Sequence, residues 1–380
     1  MKRILEEIRV QFGELKVQWK TFTHCGVKHV QDNDYTICID QNDYIRGIRT
    51  IDVSHLRDAE DGAALNEADH AKFRTLLGAL SWITLTRYDV SVYVTALQRA
   101  AAAPRKEHLC KCNRIVKWLR KHQFVTKFKP FDNEQLKVIV VSDAAFKKEV
   151  ASGLSIRGAI IGIGHHDANT PGGAFHVIEA YSRKQRRVTR STLAAETQAA
   201  LDAYETGKSI ASALHQLFSP EPEGGHTTLV MHRVVQDGPL HVPVEVCSDC
   251  RSLFDMIVAG EQGKNPAEGT LIFPVDVMRQ DTRLPNVLKA FYWVDTRDCI
   301  ADGLTKGTVA RAAIMSLLSS SHWVLEFPCQ RFSMPSGRVT LSCGARRVQK
   351  AAVVCSARRV HKAAAVEKKV RFMEAEFKRL

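Results

Sequence analysis

Residues 136–146 read LKVIVVSDAAF, an apolar run closed by an acid. A run with no polar face fits a strand that is covered on both sides, so it demands a sheet with a layer of structure over each face. The segments that follow supply those layers. ASGLSIRGAIIGIG and AFHVIEAYSRKQ read as two more strands. RSTLAAETQAALDAYETGKSIASAL, residues 190–214, reads as a helix with Leu193, Ala199, Ala200, Ala203 and Gly207 along one side. PEPEGGHTT breaks the chain, HVPVEVCSDCRSL is a strand running into a helix, and KAFYWVDTRDCIADGLTKG is a last strand and a last helix. The order β-β-β-α-β-α-β-α predicts an α/β domain over 136–322, a mixed five-stranded sheet with flanking helices.

Upstream, residues 1 to about 60 read as mixed α/β, with WKTFTHCGVKHV and DYTICIDQNDYI as short strands. DHAKFRTLLGALSWITLTRYDVSVYVTALQRA carries apolar residues at helical spacing, and Pro104 starts a second helix ending near KWLRKH. This gives a unit at 1–122, and HQFVTKFKPFDNEQ then reads as a linker over 123–135. Trp82, Trp118 and Trp293 are expected in cores. From about 325 the character changes: CGARRVQKAAVV at 343 is nearly repeated as CSARRVHKAAAV at 355, so 323–380 is expected to be a basic, low-complexity, disordered tail.

The formal net charge is +13, which favours a polyanionic partner. Residues 343–380 hold eleven Lys/Arg against three acids, a surplus of +8. No apolar run approaches the ~20 residues needed to cross a bilayer, and MKRILEEIRVQF has charges where a secretory signal needs an apolar centre. The ten cysteines are too scattered for a disulfide framework. These features predict an intracellular protein, cytoplasmic or nuclear, with no membrane partner. His108-Leu109-Cys110-Lys111-Cys112 and the pair Cys247 and Cys250 each lack a second ligand pair at zinc-finger spacing and read as ordinary thiols.

Four acids stand out by joint placement. Asp143 and Asp249 close strands, Glu196 sits in the small apolar face of the helix, and Asp302 lies in IADGLTKG. A capping-box role for Glu196 requires Ser or Thr three residues earlier, where the chain has Leu193. Alone, an aspartate at a strand end is more often a turn residue or cap. Asp295 and Asp298, close to Asp302, read as solvated. In an α/β sheet, acids at the ends of adjacent strands converge on one edge. Grouped carboxylates repel each other, and hard divalent cations such as Mg²⁺ relieve that repulsion. Two such ions ~3.5–4 Å apart can clamp an in-line attack on a phosphodiester. Just before the helix, Ser182, Arg183, Lys184, Gln185, Arg186, Arg187 and Arg190 form a run with five basic residues, expected to hold phosphates beside the acids together with Lys306.

Five stretches carry a resemblance. FRTLLGALSWITLTRYDVSVYVTALQR, VSDAAF, YSRKQRRVTRSTLAAETQA, CSDCRSL and WVDTRDCIADGLTK, in this order, resemble the C-terminal part of the Pol polyprotein of Ty1/copia-type LTR retrotransposons. The likeness covers about residues 70–306, with a weaker extension to the start. It implies an RNase H-like fold preceded by a small α/β and helical remnant of reverse transcriptase palm, thumb and connection. It implies catalytic, metal-binding roles for Asp143, Glu196, Asp249 and Asp302, two Mg²⁺ or Mn²⁺ ions, and hydrolysis of the RNA strand of an RNA–DNA hybrid by a ribonuclease H endonuclease. The expected partners are the hybrid and an intact reverse transcriptase or other Pol products. Two departures stand against the family pattern: Phe146 replaces the usual Trp, and the chain has no Asp-Asp pair, so DNA polymerisation is not expected of it. A catalytically inactive nucleic-acid-binding remnant of a decayed element is the alternative. An integrase or transposase fits less well, because its last carboxylate is generally a Glu on the final helix and an HHCC array precedes it.

Overall fold

The computed structural model describes residues 2–14, 16–131, 136–146, 153–165, 170–218, 240–259, 266, 268–284, 287–333 and 338–342. The apolar run forms β5 (Leu136–Ala145), and all ten of its residues are buried. β6 (Ile156–His165) pairs antiparallel with β5, and β7 (Gly173–Lys184) antiparallel with β6. β8 (Val244–Ser248) runs parallel to β5, and β9 (Leu288–Trp293) parallel to β8. The order β7-β6-β5-β8-β9 is the mixed sheet expected from the pattern.

The sheet does not stop at five strands. β10 (His322–Trp323) adds to β7, β11 (Cys329–Ser333) runs antiparallel to β9, and β12 (Arg338–Ser342) pairs with β11, giving eight strands among the described residues. The tail expected at 323–380 therefore begins too early. Residues 323–333 close a strand edge that would otherwise present unpaired backbone groups, and Trp323, Leu325, Cys329 and Phe332 are buried. The repeat at 343–380 lies outside the described residues.

Alternation along β5 builds two cores. Val138 and Val140 face α6 (Thr192–Phe218), packing with Ala200, Ala203 and Tyr204. Ile139 and Val141 face the opposite layer with Leu304, Leu317 and Trp323. The small residues of α6 serve close approach: a Cβ on Gly207 would lie 2.5 Å from Val140 Cγ2. Gly207→Ala is expected to cost ~1–3 kcal/mol through overpacking, measurable by urea denaturation. An unchanged midpoint would mean that α6 does not sit this close to β5.

The N-terminal part carries α1 (Lys2–Phe12) and an antiparallel sheet of β1 (Thr21–His24), β2 (Val27–Gln31), β3 (Ile37–Asp40) and β4 (Thr126–Phe128). β4 lies in the stretch read as a linker. It reads as loop because it is three residues long, and its register comes from β3 rather than from an alternation of its own. Four helices complete this part: α2 (Asn42–Gly47), α3 (Glu67–Ile83), α4 (Ser91–Arg99) and α5 (Lys106–Lys121). They bury Phe73, Leu80, Ile83, Leu109 and Trp118. Residues Thr86-Arg87-Tyr88-Asp89 form the corner between α3 and α4. There the buried Arg87 pairs with Asp89 at 2.9 Å and lies over the rings of Trp118 and Phe124. Trp82 is not core: it is 40% exposed, with its indole N–H donating to the Cys25 carbonyl. Trp293 is half-buried and donates to the Asp249 carbonyl.

α4 joins the two parts. Thr95 Oγ1 donates to the Ser182 carbonyl at 2.7 Å, and the Tyr93 hydroxyl donates to the Gly307 carbonyl at 2.6 Å. The second contact reaches the turn that follows α9 (Asp302–Thr305), which precedes α10 (Ala312–Ser320). α7 (Arg251–Ala259) and α8 (Ile272–Asp281) cover the α6 side. Among the described residues, no helix is long and apolar enough to cross a membrane.

Candidate active site

β5 and β8 run in parallel with Ser142 opposite Ser248, so the next residues of both strands, Asp143 and Asp249, emerge side by side at the carboxyl end of the sheet. Glu196 arrives from the other layer. Ala195 and Ala199 pack against Ala144, a seam of small side chains that brings the first turns of α6 against the end of β5. Gln185 fixes this start of the helix by donating its amide N–H to the Ala195 carbonyl at 2.8 Å, and Ser191 Oγ accepts from the Ala194 N–H. Asp302 opens α9 beneath the same edge.

The four acids converge. Carboxylate oxygens of Asp143, Glu196 and Asp249 lie within 4.8 Å of one another, and those of Asp249 and Asp302 form a second such group with the Cys299 sulfur. Lys306 enters the cluster: its Nζ lies 2.8 Å from Asp302 and 3.3 Å from Asp143, and Thr305 Oγ1 also donates to Asp143.

The electrostatics follow from burial and crowding. Burial, then Asp143 and Asp249, push the Glu196 carboxyl up to about 10. Burial, then Asp143, push Asp302 up to about 7 against the pull of Lys306. Asp249 is raised by burial and then by Asp143. Burial opposes the charge on Lys306, but Asp143, Asp302 and Asp249 outweigh it and hold the ammonium above the usual lysine range. Glu196 Oε2 is buried with no hydrogen-bond partner. An all-oxygen group that is short of positive charge, with a carboxylate oxygen left orphaned, fits a hard divalent cation.

A stability test follows from the Glu196 shift. Its carboxyl titrates at 4.5 when unperturbed and at about 10 here. The folded state therefore binds this proton more tightly, and the stability that it contributes is lost as pH rises from 4.5 towards 10. In chelator, Glu196→Gln should be more stable than the parent at pH 8 by on the order of 1–3 kcal/mol, with little difference at pH 5. A gap that narrows as pH rises would contradict a buried carboxylate.

The basic run is only partly what its sequence suggests. Arg183, Lys184, Arg186, Arg187 and Arg190 are exposed beside the start of α6. Ser182 and Gln185 are buried and turn inward, where Gln185 anchors the helix. Lys306 sits among the acids rather than on the basic face. Asp298 is not solvated: it is buried and accepts the backbone N–H groups of Glu326 and Phe327. Asp295 pairs with Arg297 at 2.7 Å. Thr305 and Cys299 also border the site. Neither carries a periodicity signal, although both lie within six residues of Asp302.

No family model matches the chain. Over 152 residues it is 28% identical to the retrovirus-related Pol polyprotein from transposon RE1 of Arabidopsis thaliana, a match covering 39% of this chain and 9% of that protein. The chain thus spans only a small part of that relative's length. Among solved structures, the N-terminal RNase H domain of rv2228c from Mycobacterium tuberculosis, studied as a fusion with maltose binding protein, is similar at 15% identity and a TM-score of 0.26. That likeness covers 45% of this chain and 91% of that one. The foamy viral protease-reverse transcriptase in complex with dsDNA is similar at 14% identity and a TM-score of 0.37, over 78% of this chain and 51% of that one. Over part of its length the chain is therefore similar in sequence to a retrovirus-related Pol polyprotein, and its larger domain is a mixed sheet in the order β7-β6-β5-β8-β9 with flanking helices.

Proposed function

We propose that this chain is a metal-dependent endonuclease of the ribonuclease H type, hydrolysing the RNA strand of an RNA–DNA hybrid. The observation that carries the reading is the convergence of Asp143, Glu196, Asp249 and Asp302 from β5, α6, the end of β8 and α9 onto one edge, with Glu196 Oε2 orphaned there. These four residues would hold two Mg²⁺ or Mn²⁺ ions. Bound divalent cations supply an activated water and stabilise the leaving oxygen in such a reaction.

The chain's own residues do the rest. Ala144 and Gln185 hold Glu196 in place, the first by a backbone N–H to its carboxylate and the second through the Ala195 carbonyl. Thr305 fixes the Asp143 carboxylate by donating to it. Lys306, a third exposed, balances the charge of Asp143 and Asp302 until cations take that role. Arg183, Lys184, Arg186, Arg187 and Arg190 would grip phosphates next to the cut. Selectivity for RNA would come from contacts to 2′-hydroxyls across the wide minor groove. Residues 1–122 are read as a remnant of reverse transcriptase that packs against this domain through α4.

Binding and cleavage are separable. Replacing Arg186, Arg187 and Arg190 together by Ala should weaken hybrid binding at low salt and flatten its dependence on log salt by about 2–3 slope units, read by fluorescence anisotropy. An unchanged slope would remove the basic run from the interface. The reading as a whole is tested by incubating the chain with a labelled hybrid and Mg²⁺ or Mn²⁺. Loss of the RNA strand alone supports it, and an intact hybrid that is nevertheless bound supports the inactive-remnant alternative.

A further inference from the structure

The acid edge carries a donor set that the proposed reaction does not use. The sulfur of Cys299, a carboxylate oxygen of Asp249 and one of Asp302 all lie within 4.8 Å of one another. One ion bonded at ~2.0–2.3 Å holds three such donors ~3.5–4 Å apart, so a shared cation would draw these side chains together. We propose that Asp249, Cys299 and Asp302 bind a borderline-soft divalent cation, Zn²⁺ or Cd²⁺, at a site that shares Asp249 with the all-oxygen group of Asp143 and Glu196.

The donor chemistry separates the two groups. Three carboxylates suit Mg²⁺ and Mn²⁺, whereas a thiolate selects softer ions by ligand type. The position of the thiol is fixed by its surroundings rather than by chance exposure. Cys299 is 5% exposed, its N–H donates to the Thr296 carbonyl, and its carbonyl accepts from the Asp302 N–H at 3.2 Å. Next to it, Asp298 ties the turn to residues 326 and 327, and Trp323 donates to the Asp298 carbonyl. Asp249 is half-buried and gives the ion a way in. The group that shares Asp249 is likewise short of positive charge, since the Glu196 carboxylate, 6% exposed, keeps an orphaned Oε2 there. Among the described residues, these are the two groups with metal-holding spacing.

On binding, the Cys299 thiol proton leaves to solvent and the sulfur coordinates as thiolate. Lys306, now bonded to Asp302 at 2.8 Å, must turn outward, which its exposure allows. Because Asp249 cannot serve both groups fully, Zn²⁺ or Cd²⁺ in the mixed site would oppose loading of the oxygen group. The site does not depend on nuclease activity, so the two readings can fail separately.

The test uses the full chain with accessible thiols alkylated under native conditions. Cys25 is exposed, whereas Cys112, Cys247, Cys299 and Cys329 are buried. Titration with Cd²⁺ alone should raise the ultraviolet charge-transfer absorption of a single thiolate, saturating at one equivalent and persisting in excess Mg²⁺. Cys299→Ser should remove that absorption, and Asp302→Asn should weaken Cd²⁺ binding roughly tenfold or more. Cys112→Ser should leave both unchanged. Absence of the absorption in the parent chain, or its survival in Cys299→Ser, would overturn the proposal. If Cys299→Ser fails to fold by circular dichroism, Asp302→Asn decides, and unchanged Cd²⁺ affinity there overturns it.

Discussion

Asp143→Asn and Glu196→Gln should each lower hybrid cleavage by at least about a hundredfold while leaving the circular dichroism spectrum unchanged. Loss of groups that merely orient a metal ligand typically costs 10–100-fold, so loss of a ligand itself should cost more. The fold should survive because each substitution keeps the shape of the side chain and removes charge from a crowded cluster. Glu196 is buried among like charges, and its amide analogue relieves that repulsion. Asp143 accepts from Thr305 and Lys306, and an amide oxygen can still accept one of these bonds. Double substitution should cost little more than either single one, because the groups act as a unit. Additive losses would mean that the acids do not share one task.

The largest stability effect is expected away from the acids. Lys137 of β5 and Glu245 of β8 pair at 2.8 Å in the middle of the sheet, both fully buried, and Lys137 also donates to the Thr170 carbonyl. A buried pair is not itself a large source of stability, because desolvation offsets most of the attraction. Removing one partner is different, since the other charge stays behind in a medium that solvates it poorly. Lys137→Ala should therefore cost ~3–5 kcal/mol in urea denaturation. Lys137→Met combined with Glu245→Gln should recover most of that loss. A Lys137→Ala penalty under about 1 kcal/mol would contradict a buried pair whose loss strands its partner.

What the sequence discloses follows the range of the interactions involved. β5 is legible because a strand buried on both faces must be apolar throughout, and Glu196 because a carboxylate breaks a small apolar face at helical spacing. Both are local patterns. The pairing of Lys137 with Glu245 is not local, since it joins residues on neighbouring strands with more than 100 positions between them. The burial of Asp298 likewise depends on amides at 326 and 327 returning along the sheet. β4 and β10 are too short to alternate and take their form from the strands beside them. Of the basic run, charge alone marks the outward arginines, while Ser182 and Gln185 share the stretch but are buried at the end of β7 and just beyond it. The role of Lys306 is obscured because a lysine near a helix C-terminus already has a dipole rationale.

The most direct measurement is single-turnover incubation of an end-labelled RNA–DNA hybrid with the parent chain and with Asp143→Asn, in Mg²⁺, in Mn²⁺ and in chelator. The account predicts that the parent chain cuts the RNA strand in either metal, and that both chelator and Asp143→Asn stop the cutting. A hybrid that is bound but intact in both metals, or cut equally by Asp143→Asn, would contradict it.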